Sequence, residues 1–355
     1  MMTEKKARIE FIDSLKGFAM FCVLWGHVIQ ALGDGVDIFH NVVYELIYSF
    51  HMPLFFFLSG FFFVSSMKLG FREFVQKKIT QLLLPCLIWA VFYSFSRIIL
   101  SLFFHESFIL EKEIKSIISP LEWPFWFLKE LFLSSIIVFA SLKVLKRRWV
   151  AILISIMFVM IAPLCSFQRF LLPIFWIGFI MRDNIDVILS YSKVILFISG
   201  VLFIFCLFFW DGYYTIYISP FPQIFDIRTH TFYLSNLGVA LFRFLIGVLG
   251  SIFFVFLFKY IYRKNTFFLS LERVGRYTLA IYILQYAVVE TWISSLFNIS
   301  VDIWLYNFVI TPIVSITVIC ICLLLINIIN RNDFIKYTLL GSSYQKVKIS
   351  NREIK

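Results

Sequence analysis

The sequence predicts an all-α integral membrane protein, a bundle of about ten transmembrane helices, and three observations predict it. Hydrophobic residues make up 61% of the 355 positions and charged residues only 15%, whereas soluble domains carry about 25% charged residues. The apolar residues fall in runs long enough to cross a bilayer. The lysines and arginines concentrate in the segments between those runs. Lipid can solvate the excess of apolar surface that such a chain must expose.

The length of an apolar run decides whether it can cross the bilayer. About 20 residues at 1.5 Å each cross roughly 30 Å of hydrocarbon. The stretch 149–181 is divided into two shorter spans, because Pro163, Gln168, Arg169 and Pro173 interrupt it. The predicted spans are 11–33, 42–66, 80–104, 124–142, 149–165, 170–182, 192–210, 234–258, 277–297 and 304–329.

The distribution of cations tests this number of spans, because cytoplasmic segments carry an excess of Lys and Arg. With ten spans and a cytoplasmic N-terminus, the outer segments contain few cations, namely Lys112, Lys115, Arg169 and Arg228. If 149–181 were a single span, the cationic segment 263–276 would face outwards instead. We therefore predict ten spans with both termini cytoplasmic, one transmembrane domain over 1–340 and a short basic tail over 341–355.

The same charge pattern excludes other classes of protein. A net charge of +11 and a pI of about 9.3 can indicate a nucleic-acid-binding protein, but these cations lie where membrane topology requires them. The six cysteines all lie in apolar runs, without the spacing of metal ligands or of a disulfide framework. The sequence predicts the lipid bilayer as a partner, no nucleic-acid partner and no metal site, and it does not determine the oligomeric state.

The first span contains two ionisable residues, Lys16 and His27. Such groups cost a few kcal/mol each inside a bilayer, so they normally face the bundle interior and often mark a site. Eleven residues are close to three helical turns, which places both side chains on one face, about 16 Å apart along the axis. An acyl donor carrying phosphates could enter past Lys16 and present its thioester to His27, which can accept a proton at neutral pH. Alternatively, Lys16 extends to the lipid headgroups and His27 bridges two helices.

Later spans contain further polar groups. In the second span, His51 is either a substrate ligand or a partner for the backbone that Pro53 leaves open, and Glu45 is a carboxylate nearer the outer end. Arg243 and Glu290 either line the cavity or form structural ion pairs between helices.

Three other charged residues lie in or beside the predicted spans. Lys129 and Glu130 are adjacent, so they point about 100° apart on a helix and need not pair with each other. Arg169, at the predicted outer surface, either binds an anionic group of an acceptor or caps a short span.

Six segments along the chain carry a family resemblance. The first is a basic residue separated by ten residues from a histidine, Lys16 and His27. The others are Phe50–Phe61, Lys77–Pro85, Trp126–Leu128, Leu172–Gly178 and Val274–Tyr282. Together they resemble the membrane acyltransferase 3 family, which includes O-acetyltransferases of bacterial surface polysaccharides. Two residues depart from the family pattern: Lys16 stands where arginine is commoner, and Gln285 stands where the family often has histidine.

The resemblance implies transfer of an acyl group, usually acetyl, from cytoplasmic acyl-CoA to a sugar hydroxyl. It implies that His27 is the essential base or acyl-accepting residue and that Lys16 helps to position the donor. Trp126 would line the tunnel or serve helix packing. Lys77 and Lys78 would meet the CoA phosphates, or serve only membrane orientation.

On this basis the co-substrate is acyl-CoA, no cofactor is bound, and the acceptor is a glycan or a lipid-linked sugar. The expected location is the bacterial cytoplasmic (inner) membrane. A transporter or flippase of a lipid-linked saccharide would suit ten spans with a few buried charges equally well. The six segments favour the acyltransferase, since a transporter has no reason to carry them, and the sequence shows no clear internal repeat of the kind many transporters have.

Overall fold

The computed structural model describes residues 10–33, 37–104, 125–162, 167–215, 225–226, 231–232, 234–293 and 301–341, and most of them are helical. In the first half of the chain the α-helices are α1 Glu10–Leu32, α2 Val42–Phe63, α3 Phe71–Lys78, α4 Leu84–Phe104, α5 Trp126–Val144, α6 Arg148–Ile161 and α7 Gln168–Asp183. In the second half they are α8 Ile185–Ser190, α9 Ser192–Leu207, α10 Leu234–Ile261, α11 Thr266–Arg276, α12 Thr278–Gln285, α13 Ile303–Leu305, α14 Thr311–Ile329 and α15 Asp333–Leu340.

Shorter elements extend or connect these helices. The 3₁₀ turns are Ile38–His40, Val64–Lys68 and Gly212–Tyr214, and the π-helical segments are Ile79–Leu83, Tyr286–Ile293 and Tyr306–Ile310. The two short strands β1 Phe225–Asp226 and β2 Thr231–Phe232 pair antiparallel, with Phe225 opposite Phe232.

The predicted spans largely coincide with helices of the structure. Every predicted span contains a helix, and the stretch 149–181 contains two, α6 and α7, on either side of residues that lie outside the described ones. Among the described residues, five helical segments are long and apolar enough to cross a membrane. They are Glu10–Leu32, Val42–Lys68, Phe71–Ser96, Leu237–Ile261 and Ile303–Ile329. The all-α membrane fold is therefore supported, whereas the number of ten crossings stays a prediction.

The outer faces of several helices are apolar. Leu153 on α6, Phe197 on α9 and Leu324 on α14 are each at least 60% exposed. An aqueous surface would favour polar side chains at such positions, whereas lipid contact favours apolar ones. These faces are what a bilayer would cover.

Helix α1 lies inside the bundle, packed against α2, α10, α11 and α14. Its closest partner is α11, which approaches it backbone to backbone. A side chain at Gly17 would overlap the carbonyl group of Leu271, and one at Gly275 would overlap that of Asp13. The two glycines therefore fix the position of α1, the helix that carries Lys16 and His27.

Helices α2 and α7 form a second close contact. A Cβ atom at Gly60 would overlap the carbonyl of Phe175, and one at Gly178 would overlap that of Phe57. Small residues allow such approach between helices in membranes, where packing replaces the hydrophobic effect as the driving force.

Replacing Gly60 with alanine is expected to destabilise the fold. The new methyl group has to push apart two backbones, and overpacking of this kind costs about 1–3 kcal/mol or more. Gly238→Ala is the matched control, because nothing lies within 4 Å of a Cβ atom built there. Thermal denaturation of the purified proteins in detergent measures both changes, and equal midpoints for the two variants would contradict the predicted overlap.

A buried polar network joins α5 to α7. Glu130 is 1% exposed, and its Oε2 accepts a hydrogen bond of 2.7 Å from Gln168 Nε2. Ser134 donates to Gln168 Oε1 at 2.5 Å. Lys129 Nζ lies 3.2 Å from Glu130 Oε1, so these adjacent residues do pair, although the sequence did not require it. The network satisfies a carboxylate that would otherwise be costly to bury.

Arg169 is only 7% exposed and does not lie on an open surface. Its Nε donates to the carbonyl of Val159 at 3.2 Å, and its Nη2 donates to that of Ala162 at 3.3 Å. These carbonyl groups lie at the C-terminal end of α6, where no later turn of helix can satisfy them. Of the two interpretations of Arg169, the structure supports helix capping.

Candidate active site

One face of α1 carries Lys16 and His27 in a row with two apolar side chains. Lys16, Met20, Val23 and His27 follow each other at intervals of four, three and four residues, which places them in one row along a helix. All four line cavities inside the bundle. The predicted common face of Lys16 and His27 is therefore observed.

The first cavity, called the lysine cavity here, has a volume of about 310 Å³ and lies around the N-terminal half of that row. Lys16 and Lys78 both line it. Lys16 Nζ lies 3.6 Å from Asp13 Oδ1 and 4.5 Å from the centre of the Phe62 ring. The rest of the lining is mainly apolar and comes largely from α1, α2, α5 and α12. Such a volume is typical of a small-molecule site, and its mainly apolar wall contains two cations.

The second cavity, called the histidine cavity, is small, about 20 Å³, which is enough for one ordered water. Its walls include His27 and His51 from the first two helices, Trp126 from α5 and Arg243 from α10. Trp210 also lines it, from the segment that follows α9.

The two cavities are neighbours. Three residues, Val23, Met52 and Tyr282, line both of them. We call these three side chains the shared wall. A group that crossed the shared wall from the lysine cavity would arrive beside His27.

His27 is 5% exposed and is held by Gln285. Its Nδ1 lies 3.0 Å from Gln285 Oε1, and the ring of Tyr286 meets it edge-on at 5.4 Å between centres. An amide oxygen can only accept, so with this amide orientation Nδ1 carries the proton and Nε2 has a free lone pair. A neutral histidine in this tautomer is equipped to accept a proton at Nε2.

His51 is oriented by the backbone. Its Nδ1 donates to the carbonyl of Ile47 at 2.7 Å, and Tyr48 lies edge-on against its ring at 4.6 Å. The carbonyl that Pro53 leaves without a donor is that of Ser49, four residues before it, so His51 does not serve that opened backbone. Its place in the histidine cavity fits the alternative of a substrate ligand.

The other predicted site residues fall in different places. Trp126 lines the histidine cavity and packs against Phe167, with 5.2 Å between ring centres. Lys77 is exposed on α3 and does not line the lysine cavity, although its neighbour Lys78 does. Glu45 is half-buried near Gly212 and does not line the histidine cavity.

Glu290 was predicted as a cavity residue, and its side chain lies outside the described part of the structure. Arg243 is 3% exposed and lines the histidine cavity, with its Cζ 5.1 Å from the centre of the Phe170 ring. No carboxylate of a described residue forms an ion pair with it. Arg243 thus lines the cavity, as one of its two interpretations predicts, while an ion pair with Glu290 stays a prediction because that side chain is outside the described part. Nor do the described residues contain a group of three or more histidines, cysteines or carboxylates that could hold a metal ion.

The sequence does not predict the contact of Gln285 with His27. The one signal for it is an amide within an apolar run. Nor does the sequence place Tyr282, one turn earlier on α12, in the shared wall.

Comparison with known proteins agrees with the family that the sequence resembles. A family model described as an acyltransferase domain matches residues 9–327. Nodulation protein NolL of Sinorhizobium fredii (strain NBRC 101917 / NGR234) is 28% identical over 183 residues, 49% of this chain and 49% of that protein. Nodulation protein NolL of Mesorhizobium japonicum (strain LMG 29417 / CECT 9101 / MAFF 303099) is 39% identical over 82 residues, 22% of this chain and 21% of that protein. The chain thus matches at most about half the length of these relatives, and no solved structure matches it.

Proposed function

The chain belongs to the acyltransferase family whose domain model spans residues 9–327, and on that premise we propose that it moves an acyl group, most simply acetyl, from cytoplasmic acyl-CoA to a saccharide hydroxyl. The acceptor is a cell-surface polysaccharide or a lipid-linked sugar. The protein acts in the cytoplasmic membrane with both termini inside, so the lysine cavity faces the cytoplasm.

One observation carries this proposal: two chemically different cavities meet at the shared wall. The lysine cavity offers cations to a phosphate-bearing donor and an apolar wall to its acyl arm. The histidine cavity offers a buried imidazole on the other side of that wall. Donor and acceptor can thus approach from opposite sides and meet at His27.

The reaction follows from this arrangement. The oxygen of the acceptor hydroxyl attacks the thioester carbonyl carbon, and His27 Nε2 takes the proton of that hydroxyl at the same time. The carbon–sulfur bond then breaks, and the imidazolium returns the proton to the departing sulfur, which gives an ester and the free thiol of CoA. Gln285 holds the imidazole in the tautomer that this first step needs.

Lys78 and Lys77 provide the test of the donor side. Replacing Lys78 with glutamine is expected to raise the KM for acetyl-CoA about tenfold, which is the loss of one charge-assisted contact of about 1.4 kcal/mol. Lys77→Gln removes the same charge one residue away, outside the cavity, and is expected to leave KM near the wild-type value. Initial rates with radiolabelled acetyl-CoA and purified protein measure both.

The two variants distinguish binding of the donor inside the lysine cavity from attraction by charge on the nearby surface. An equal rise in KM for the two variants would mean that any nearby cation attracts the donor. No rise for Lys78→Gln would remove the lysine cavity from the proposed path of acyl-CoA.

A further inference from the structure

The histidine cavity contains two hydrogen-bond donors that no described residue satisfies. Arg243 Nη1 and Trp210 Nε1 are both buried and have no hydrogen-bond partner among the residues that the structure describes. Their residues are 3% and 8% exposed and both line this cavity. A guanidinium and an indole N–H can only donate. The cavity therefore contains two unsatisfied hydrogen-bond donors, and one of them is charged.

The positive charge of Arg243 indicates what kind of group the cavity binds. A buried cation without a counter-ion is costly, and native structures normally pair it. The described residues that line the cavity include no carboxylate, and its two histidines carry no negative charge. Phe170 gives Arg243 a cation–π contact at 5.1 Å, which offsets only part of the cost of burial. Among the described residues, Arg243 therefore lacks a hydrogen-bond acceptor that carries a negative charge.

We propose that Arg243 and Trp210 bind an anionic group of the acceptor, so that the acceptor is an acidic saccharide. Its charge is either a sugar carboxylate or the phosphate of a lipid carrier. This inference rests on the proposed acyl transfer. It places the anion and the reacting hydroxyl in one cavity, with the hydroxyl at His27. Because the free volume is about 20 Å³, the cavity has to widen when the acceptor enters.

The first test compares acceptors that differ in charge. Radiolabelled acetyl-CoA is supplied with matched tetrasaccharides ending in glucuronic acid or in glucose, and with the glucose form linked to polyprenyl diphosphate. Wild-type protein is expected to prefer an acidic form over the neutral one. Arg243→Gln is expected to reduce that preference roughly 10- to 100-fold, which is the usual contribution of a charge-assisted pair. Arg243→Lys is expected to keep part of the preference. The preferred form identifies the carboxylate or the diphosphate as the source of charge.

The control removes an arginine elsewhere. Arg331 is exposed at the end of α14, and Arg331→Gln is expected to keep the wild-type preference. If Arg243→Gln lowers transfer to acidic and neutral acceptors equally, the proposal is overturned, and Arg243 acts on the reaction itself.

The second test does not depend on catalysis. The melting temperature of the purified wild-type protein is measured with sodium glucuronate, with inorganic phosphate and with glucose. We expect at least one of the two anions to raise it and glucose not to, and we expect the effect to be lost in Arg243→Gln and weakened in Trp210→Phe. If no acceptor is acetylated but the anion effect is present, the proposed function fails and the anion site stands. If neither anion raises the melting temperature more than glucose, the anion site is wrong.

Discussion

Replacing His27 with alanine is expected to lower the rate of acyl transfer about 10²- to 10⁴-fold, the usual contribution of a general base. The residue is buried, its Nδ1 is engaged by Gln285, and its Nε2 is left with a free lone pair in the observed amide orientation. A methyl group in its place cannot take the proton of a hydroxyl. Transfer from radiolabelled acetyl-CoA to a saccharide, with purified protein at matched concentration, measures the loss.

His40→Ala is the matched control, because that histidine is exposed and lies outside both cavities. It is expected to retain wild-type activity. Unchanged transfer by the His27 variant would end the role assigned to this residue. Label that stays on wild-type protein in the absence of acceptor, and not on His27→Ala, would show that His27 carries the acyl group rather than only a proton.

Replacing Gln285 with leucine is expected to lower kcat about 10- to 100-fold with little change in the KM for acetyl-CoA, by analogy with residues that orient catalytic imidazoles. Leucine keeps the volume but removes the oxygen that holds the proton on Nδ1 of His27. The imidazole can then rotate or change tautomer, and Nε2 is no longer offered as the base. Steady-state kinetics with varied acetyl-CoA separate kcat from KM.

Gln285→Glu tests whether the oxygen is what matters. It keeps an acceptor at the same reach and is expected to recover part of the lost kcat. A merely structural role predicts that both variants lose activity in proportion to their loss of melting temperature. Activity of Gln285→Leu equal to that of the wild type would mean that the bond to His27 has no part in transfer.

The parts of the site that the sequence predicted depend on local geometry. Helical periodicity alone places Lys16 and His27 on one face, eleven residues apart. The interruptions in 149–181 predicted two helices, and the structure has two, although Gln168, Arg169 and Pro173 lie inside α7 rather than between the helices. These inferences need no knowledge of which helices touch.

The parts that the sequence did not predict depend on packing between distant segments. His27 and Gln285 are separated by 258 positions, and no local pattern brings them together. Lys77 and Lys78 are indistinguishable in sequence, yet neighbours on a helix point about 100° apart, and only packing decides that Lys78 lines the cavity. The unpaired donors of Arg243 and Trp210 are visible only once their surroundings are known.

The shared wall has a further consequence for the cell. If donor and acceptor sites open to opposite sides of an energised membrane, Val23, Met52 and Tyr282 are also the seal that prevents protons and ions from leaking between them. Methionine is unbranched and flexible, so it can yield to a thioester and then close again. Each opening of this wall would then connect the two sides of the membrane only for as long as the acyl group takes to pass.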